Sequence, residues 1–339
     1  MKLITFTVPC YNSEEYMKKC LNNLLLAGDE AEILIINDGS TDNTGKIADE
    51  YAEKYPNIVR ALHQENGGHG EGVNQGLRNA KGLYFKVVDS DDWLDPHALS
   101  VLMSKIRNAV KLGKTVDMFV ANYVYEHPEG PGHVMKYQNV FKKNKICTWN
   151  ETTPFKSTQY LSMHSVIFRT KVLRAAGIEL PKHTFYVDNL FVYLPLPYCR
   201  TIYYMDEDLY RYYIGRPDQS VQEKVLLKRV NQHYRVALAL IDGFDIKSIE
   251  KQSPKLARVI KHHISMIVTI TAVFLYMDGS AEKIYMCKKM WAKIKEKDEA
   301  LYHALKYRSL SALTTIPGKP GRTFTVSAYK AARKIFKFN

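Results

Sequence analysis

Two hydrophobic rhythms take turns along the first 125 residues. Short apolar runs at residues 3–8, 32–37, 58–63, 84–88 and 116–125 have the length and the β-branched and aromatic content of buried strands. Between them, over residues 16–26, 44–54 and 72–80, apolar positions recur at helical spacing. Asp95-Pro96, an N-cap candidate followed by Pro at the first helical position, opens a further helix to about Lys111. Such alternation implies an α/β fold: a mostly parallel sheet with helices on both faces. Residues 126–180 are richer in Pro, Gly, Lys and polar side chains; a short strand at 165–169 is legible there, but no topology. Beyond Val221 the rhythm is helical, over 225–241, 256–277, 281–295 and 326–338, with a break at 317–321. The expected organisation is one domain at 1–221, in two parts divided near 125, followed by a helical region at 222–339.

Composition narrows the class. With 46% apolar and 24% charged residues in a chain of 339, disordered and fibrous classes are excluded. The net charge of +13 is unevenly distributed: −7 over residues 1–100, +6 over 101–221 and +14 over 222–339. A tail of that charge suits an anionic lipid, a polyanionic polymer or nucleic acid. The five cysteines form no CxxC pair and are odd in number, which predicts reduced thiols and a cytoplasmic chain. Residues 1–9 lack the features of a signal peptide. The most apolar stretch, 264–277, falls short of the roughly 20 residues of a membrane span and is expected to be a buried helix.

Candidate chemistry gathers where strands end, the usual place for ligands in open α/β sheets. After the first strand, Pro9-Cys10-Tyr11-Asn12-Ser13-Glu14 offers Tyr11 for stacking on a nucleotide base. Asp38, in Asp38-Gly39-Ser40-Thr41-Asp42, can accept from a base imide N–H. Asn66-Gly67-Gly68-His69-Gly70 opens a helix and lets backbone approach a pyrophosphate, although it has neither the position nor the spacing of a dinucleotide fingerprint. The strongest signal is Asp89-Ser90-Asp91-Asp92: three carboxylates leaving one buried strand repel each other unless a hard cation such as Mg²⁺ or Mn²⁺ sits among them. Asp188, in an aromatic and apolar setting, is suited to accept a proton. Tyr210 to Arg216 joins rings and guanidinium groups that can hold sugar faces and phosphate.

In order and type these motifs resemble the family 2 glycosyltransferases of GT-A fold, which transfer a sugar from a nucleotide-sugar donor with inversion. The resemblance is carried by Val8-Pro9-Cys10-Tyr11-Asn12, by Asp38-Gly39-Ser40-Thr41-Asp42 and by Asp89-Ser90-Asp91-Asp92. It implies a donor site that includes Pro9, Tyr11, Asn12, Glu14, Asp38 and Gly67, with His69, Asn74, Asp89, Ser90 and Arg216. It also implies a Mn²⁺ or Mg²⁺ ion on Asp91, Asp89 and Asp92, and Asp188 as catalytic base. Two positions depart from the family pattern. Val73-Asn74-Gln75-Gly76 lacks the usual Arg-Asn before the glycine, leaving His69 or Arg78 to replace that arginine, and Val187-Asp188 stands for the usual Glu-Asp.

The partners implied are a nucleotide-sugar donor, with uridine the expected nucleoside, and a saccharide or lipid-linked acceptor in cell-surface polysaccharide, teichoic acid or glycolipid synthesis. With no membrane span expected, addition of one or a few sugars fits better than polymerisation. Lys330, Arg333, Lys334 and Lys337 interleave with Ala331, Ala332, Ile335, Phe336 and Phe338 as a basic amphipathic helix would, which suggests peripheral contact with the inner membrane face and makes nucleic acid the weakest partner. Two other readings remain: a nucleotidyltransferase, which would need a basic glycine-rich first turn that 8–15 lacks, and a non-catalytic polyanion- or membrane-binding protein.

Overall fold

In chain order the first unit runs β1 (Ile4–Cys10), α1 (Met17–Leu24), β2 (Ala31–Asp38), α2 (Thr44–Lys54), β3 (Val59–Gln64), α3 (His69–Asn79), β4 (Tyr84–Val87), β5 (Trp93–Leu94) and α4 (Pro96–Lys111). It continues with β6 (Met118–His127), β7 (Gly130–Met135), β8 (Ile146–Cys147), β9 (Val166–Arg169), α5 (Thr170–Ala175), α6 (Asp188–Tyr193) and β10 (Ile202–Tyr213). The computed structural model describes residues 1–127, 130–214 and 223–336, in two compact units, 1–215 and 216–339. The sheet order is β3-β2-β1-β4-β9-β6-β10-β5, with β7 paired to β6 and β8 to β10.

The parallel sheet expected from the sequence is present in β3-β2-β1-β4, and β1 and β2 are buried along their whole length, as their unbroken apolar runs require. The middle of the chain supplies what the sequence left open. β9 runs antiparallel between β4 and β6, so the sheet is mixed there, and β10 returns parallel to β6. Helix α3 begins at His69 rather than at residue 72. Gly68, at φ +82°, precedes it, and close packing outweighs the low helix propensity of its glycines: a Cβ on Gly76 would collide with Thr7 Oγ1. Asp95 caps α4 as expected, accepting the Ala98 N–H at 3.0 Å. All five cysteines are buried with free thiols.

The second unit is helical: α7 (Glu223–Lys228), α8 (Val230–Asp242), α9 (Ile246–Gln252), α10 (Pro254–Asp278), α11 (Ala281–Lys297), α12 (Glu299–Arg308) and α13 (Gly318–Phe336). Three expectations are corrected. The helix at 225–241 is interrupted at Arg229. Helix α10 has 25 residues, capped by Ser253 and by Gly279 at φ +73°, and is long and apolar enough to cross a membrane by length and composition. Two thirds of its most apolar window is nevertheless buried, and α10 is the central helix of this unit, touching α7 to α9 and α11 to α13. Helix α13 starts inside the expected break. Pro320 falls in its first turn, where a missing N–H leaves no bond unmade, and Gly321 lies so close to Ile316 that a Cβ would strike its carbonyl oxygen.

Candidate active site

The ends of β1 and β2 are tied together by their turn residues. Asn12, at φ +48°, donates its N–H to Ser40 Oγ (3.1 Å) and accepts the Thr41 N–H (2.9 Å). Glu14 accepts the backbone and side-chain N–H groups of Asn43 (3.0 and 2.8 Å) at the start of α2. Asn12 and Glu14, expected among the donor contacts, thus join two turns to each other. Tyr11 is left 55% exposed at the lip, and Pro9 is buried against Gly72. Asp38 is buried and accepts from Gly67 N–H and Gly68 N–H (both 2.8 Å) and from Gln64 Nε2 (2.6 Å). It shapes the glycine-rich loop between β3 and α3.

The acidic turn between β4 and β5 forms the centre. His69, at the start of α3, donates from Nε2 to Asp89 Oδ1 at 2.9 Å, and His164 Nε2 lies 3.7 Å from Asp89 Oδ2. One oxygen each of Asp89 and Asp92 and one nitrogen of His164 lie within 4.8 Å of one another. β10 grips Asp92: the Tyr210 hydroxyl donates to Oδ2 (2.7 Å) and the Tyr213 N–H to Oδ1 (2.8 Å). The same Tyr210 oxygen accepts the Asp89 N–H (3.1 Å). Ser90 Oγ meets Ser13 Oγ at 2.9 Å, and Asp91 is half-buried in the turn.

His164 sits on a short turn of 3-10 helix, Met163–Ser165, and stacks on Tyr212 with ring centres 4.2 Å apart. Beneath that turn Lys86 of β4, fully buried, donates to the carbonyls of His164 (2.9 Å), Met163 and Val166 (both 3.4 Å). Its cation also lies 4.8 Å from the centre of the Tyr210 ring. Burial brings the Lys86 pKa down to about 7, against the pull of Asp89 and Asp92.

The carboxylates are driven apart in acidity. Burial pushes Asp89 up, but the imidazoles of His164 and His69 beside its two oxygens outweigh it and hold the group well below the usual range. Asp92 is raised well above it by burial and by its neighbours Asp91 and Asp89. For His69 burial is the largest influence and lowers the pKa, yet Asp89, Asp188 and Asp91 together raise it. A divalent cation would relieve the repulsion that raises Asp92, and two carboxylates with an imidazole are a donor set that suits such an ion.

Asp188 arrives from across the site as the first residue of α6. It accepts from Asn189 Nδ2 (3.2 Å), and burial raises its pKa, with His164 and His69 opposing. A strained turn delivers it: His183 and Tyr186 have φ +47° and +67°, a region that bulky side chains avoid. His183 N–H donates to the Gly67 carbonyl (2.8 Å). Asn74, expected to touch the donor, instead clamps Leu180, donating to its carbonyl and accepting its N–H (both 2.9 Å). Of the two candidates for the missing arginine, His69 reaches the acidic centre, whereas Arg78 is held by Glu71 (2.5 Å) and Glu179 (3.3 Å). Arg211 is engaged by Asp95 and Glu126. Arg216 and the segment to Val221, with Lys337 and Phe338, lie outside the described residues.

The sequence model of glycosyl transferase family 2 matches residues 5–170, which carry the acidic turn, the glycine-rich loop and His164. The uncharacterized glycosyltransferase MG025 homolog of Mycoplasma pneumoniae is 32% identical over 224 residues, covering 64% of this chain and 70% of its own. The chain is a family 2 glycosyltransferase. Glycosyltransferase GlyA of Streptococcus pneumoniae is also 32% identical, over 228 residues and 64% of this chain, and three curated relatives, GlyA among them, are spanned over only 31 to 60% of their lengths. Residues 1–349 of Staphylococcus aureus TarS, solved in complex with UDP-GlcNAc, superpose with a TM-score of 0.66 at 20% identity, covering 98% of this chain and 92% of that one. The family 2 transferase therefore has the GT-A fold, with its helical region included in the match. Membership in this family sets aside the nucleotidyltransferase.

Two residues of the transferase's centre went unread in the sequence. His164 lies in the stretch of no legible topology, and its only signal is a His between Met163 and Ser165 just before a short strand. Lys86 was legible in principle, because a lysine inside a buried strand must find partners.

Proposed function

We propose that this glycosyltransferase moves a sugar from a nucleotide sugar, a UDP-sugar for preference, to a hydroxyl of a saccharide or lipid-linked acceptor, with inversion. The observation that carries this reading is Asp188, a carboxylate of raised pKa whose electrostatic neighbours are His69, His164 and Asp89 of the acidic centre. Asp188 takes the proton of the acceptor hydroxyl as that oxygen bonds to the anomeric carbon. The bond from that carbon to the diphosphate oxygen breaks on the opposite face. Asp89, Asp92 and His164, with Asp91 beside them, would hold Mn²⁺ or Mg²⁺, which when bound supplies counter-charge to the leaving diphosphate. Tyr11 stacks on the base. Asp38 holds the loop at Gly67 and Gly68 in shape beside it, and His69 stands where the family's arginine is missing.

The nucleoside diphosphate in TarS belongs to that protein, and its shared fold supports the same donor class here. The setting we infer is cytoplasmic, in cell-surface polysaccharide, teichoic acid or glycolipid synthesis, with the basic C-terminal region meeting the inner membrane face and no nucleic acid partner. Asp188→Asn is expected to lower transfer and slow donor hydrolysis by about 10²- to 10⁴-fold, with UDP-sugar binding in the presence of Mn²⁺ unchanged in thermal shift. Near-normal turnover by this variant overturns the assignment of the base.

A further inference from the structure

In the second unit one segment is folded inside out. Between α12 and α13, residues Leu310–Thr315 form a 3-10 turn, in which positions three apart share a face. The polar members face inward: Ser311 and Thr314 are buried, with Ser311 Oγ donating to the Leu305 carbonyl (3.0 Å) and Thr314 Oγ1 to the Ser311 carbonyl (2.7 Å). Leu310, Leu313 and Ile316 face outward, 47%, 38% and 39% exposed. Thr325, buried, donates to the Leu313 carbonyl (2.7 Å) and locks α13 onto the turn, with the neighbouring Phe324 55% exposed. Tyr307, at the end of α12, is 63% exposed.

The charge along this segment has one sign. Residues 300–339 contain eight Lys and Arg and no Asp or Glu, and Lys306, Arg308, Lys319 and Arg322 flank the apolar side chains. We propose that the ledge of Tyr307, Leu310, Leu313, Ile316 and Phe324 docks onto an anionic lipid bilayer, its apolar side chains entering the interface and its cations meeting the headgroups. The charges and the apolar face together select this occupant. A soluble polyanion would neutralise the cations and leave the leucines wet, and a second copy of the ledge would press like charges together. The proposal rests on the reading of the C-terminal region as the membrane contact, but not on the transfer chemistry, and it places the contact ahead of the basic helix at 326–338 that the sequence suggested.

The test is co-sedimentation of the full chain with vesicles of phosphatidylglycerol and phosphatidylcholine in equal parts, against phosphatidylcholine alone. Binding is expected to the first only, and to weaken with added salt. Leu310→Ser/Phe324→Ser is expected to reduce binding by about tenfold or more with donor hydrolysis and thermal unfolding unchanged. Lys319→Gln/Arg322→Gln should lose the preference for phosphatidylglycerol. Phe324→Trp, which adds a reporter without removing the ledge, should shift its emission to the blue when the mixed vesicles are added. Failure to bind mixed vesicles, equal binding to phosphatidylcholine alone, undiminished binding by the Leu310→Ser/Phe324→Ser variant, or an unmoved emission from the Phe324→Trp variant overturns the proposal. Donor hydrolysis is read separately, so loss of docking and loss of the transferase reading are told apart.

Discussion

The two units use charge in opposite ways. In the first, the decisive charges are buried and each is surrounded by fixed partners. Lys86 faces three carbonyls, Asp92 is held by Tyr210 and Tyr213, and Asp38 accepts from three donors. In the last part of the second unit, eight cations share 40 residues with no anion of that segment, beside apolar side chains turned outward. A buried charge must be matched group by group and therefore fixes one geometry, which is what a reacting site needs. Exposed charges of one sign act as a field and suit an extended, fluid partner.

The contrast can be broken at its strongest point first. Asp89→Asn keeps the shape of the acidic centre but removes its charge. Turnover is expected to fall by more than about 100-fold, and the rise in melting temperature expected for the unaltered protein on adding Mn²⁺ should be lost. Equal stabilisation of both by Mn²⁺ would show that Asp89 does not hold the ion.

Acid sharpens the comparison from the other side. Burial lowers His233 of α8 to about 4 and His263 of α10 well below its usual value. Unfolded, each takes a proton near pH 6.5. Folded, His233 resists protonation until about pH 4, so stability present above pH 6.5 is lost as the pH falls through that window. The loss from His233 alone is about 3 kcal/mol. Hydrogen exchange between pH 7 and 4.5 should show the second unit opening before the first, and simultaneous opening would contradict the assignment.

Smaller effects separate the two kinds of lysine. Lys86→Met leaves three carbonyls without their donor while relieving the lysine's own desolvation, and is expected to lower unfolding stability by about 2 kcal/mol. Lys319→Gln, on the exposed start of α13, should stay within about 0.5 kcal/mol. Similar values for the two in chemical denaturation would erase the distinction between a structural and a surface cation.

Most of the first 125 residues could be read directly. Residues 44–54 and the helix from Pro96 to Lys111 match the structure end for end, because periodicity and, for the second, the Asp95 cap are local signals. The start of α3 was misread because its glycines count against a helix until β1, lying against them, is known. The acidic turn was legible as a centre, although not the division of labour within it. Nothing local separates Asp89, paired with two histidines, from Asp92, gripped by β10. The topology of residues 126–180 stayed dark because β9, legible as a short strand, finds its partners in β4 and β6, far away in the chain.

Periodicity, turn chemistry and charge, which are properties of neighbours along the chain, were enough to order most strands and helices of the first 125 residues, to locate the carboxylates and to separate an acidic front from a basic end. Bringing His164 to Asp89 and Asp92, setting Lys86 under the turn that carries it, and turning Leu310, Leu313 and Ile316 outward required the folded chain. Each of these depends on a partner from a distant segment, and a sequence pattern carries no record of which distant segments meet.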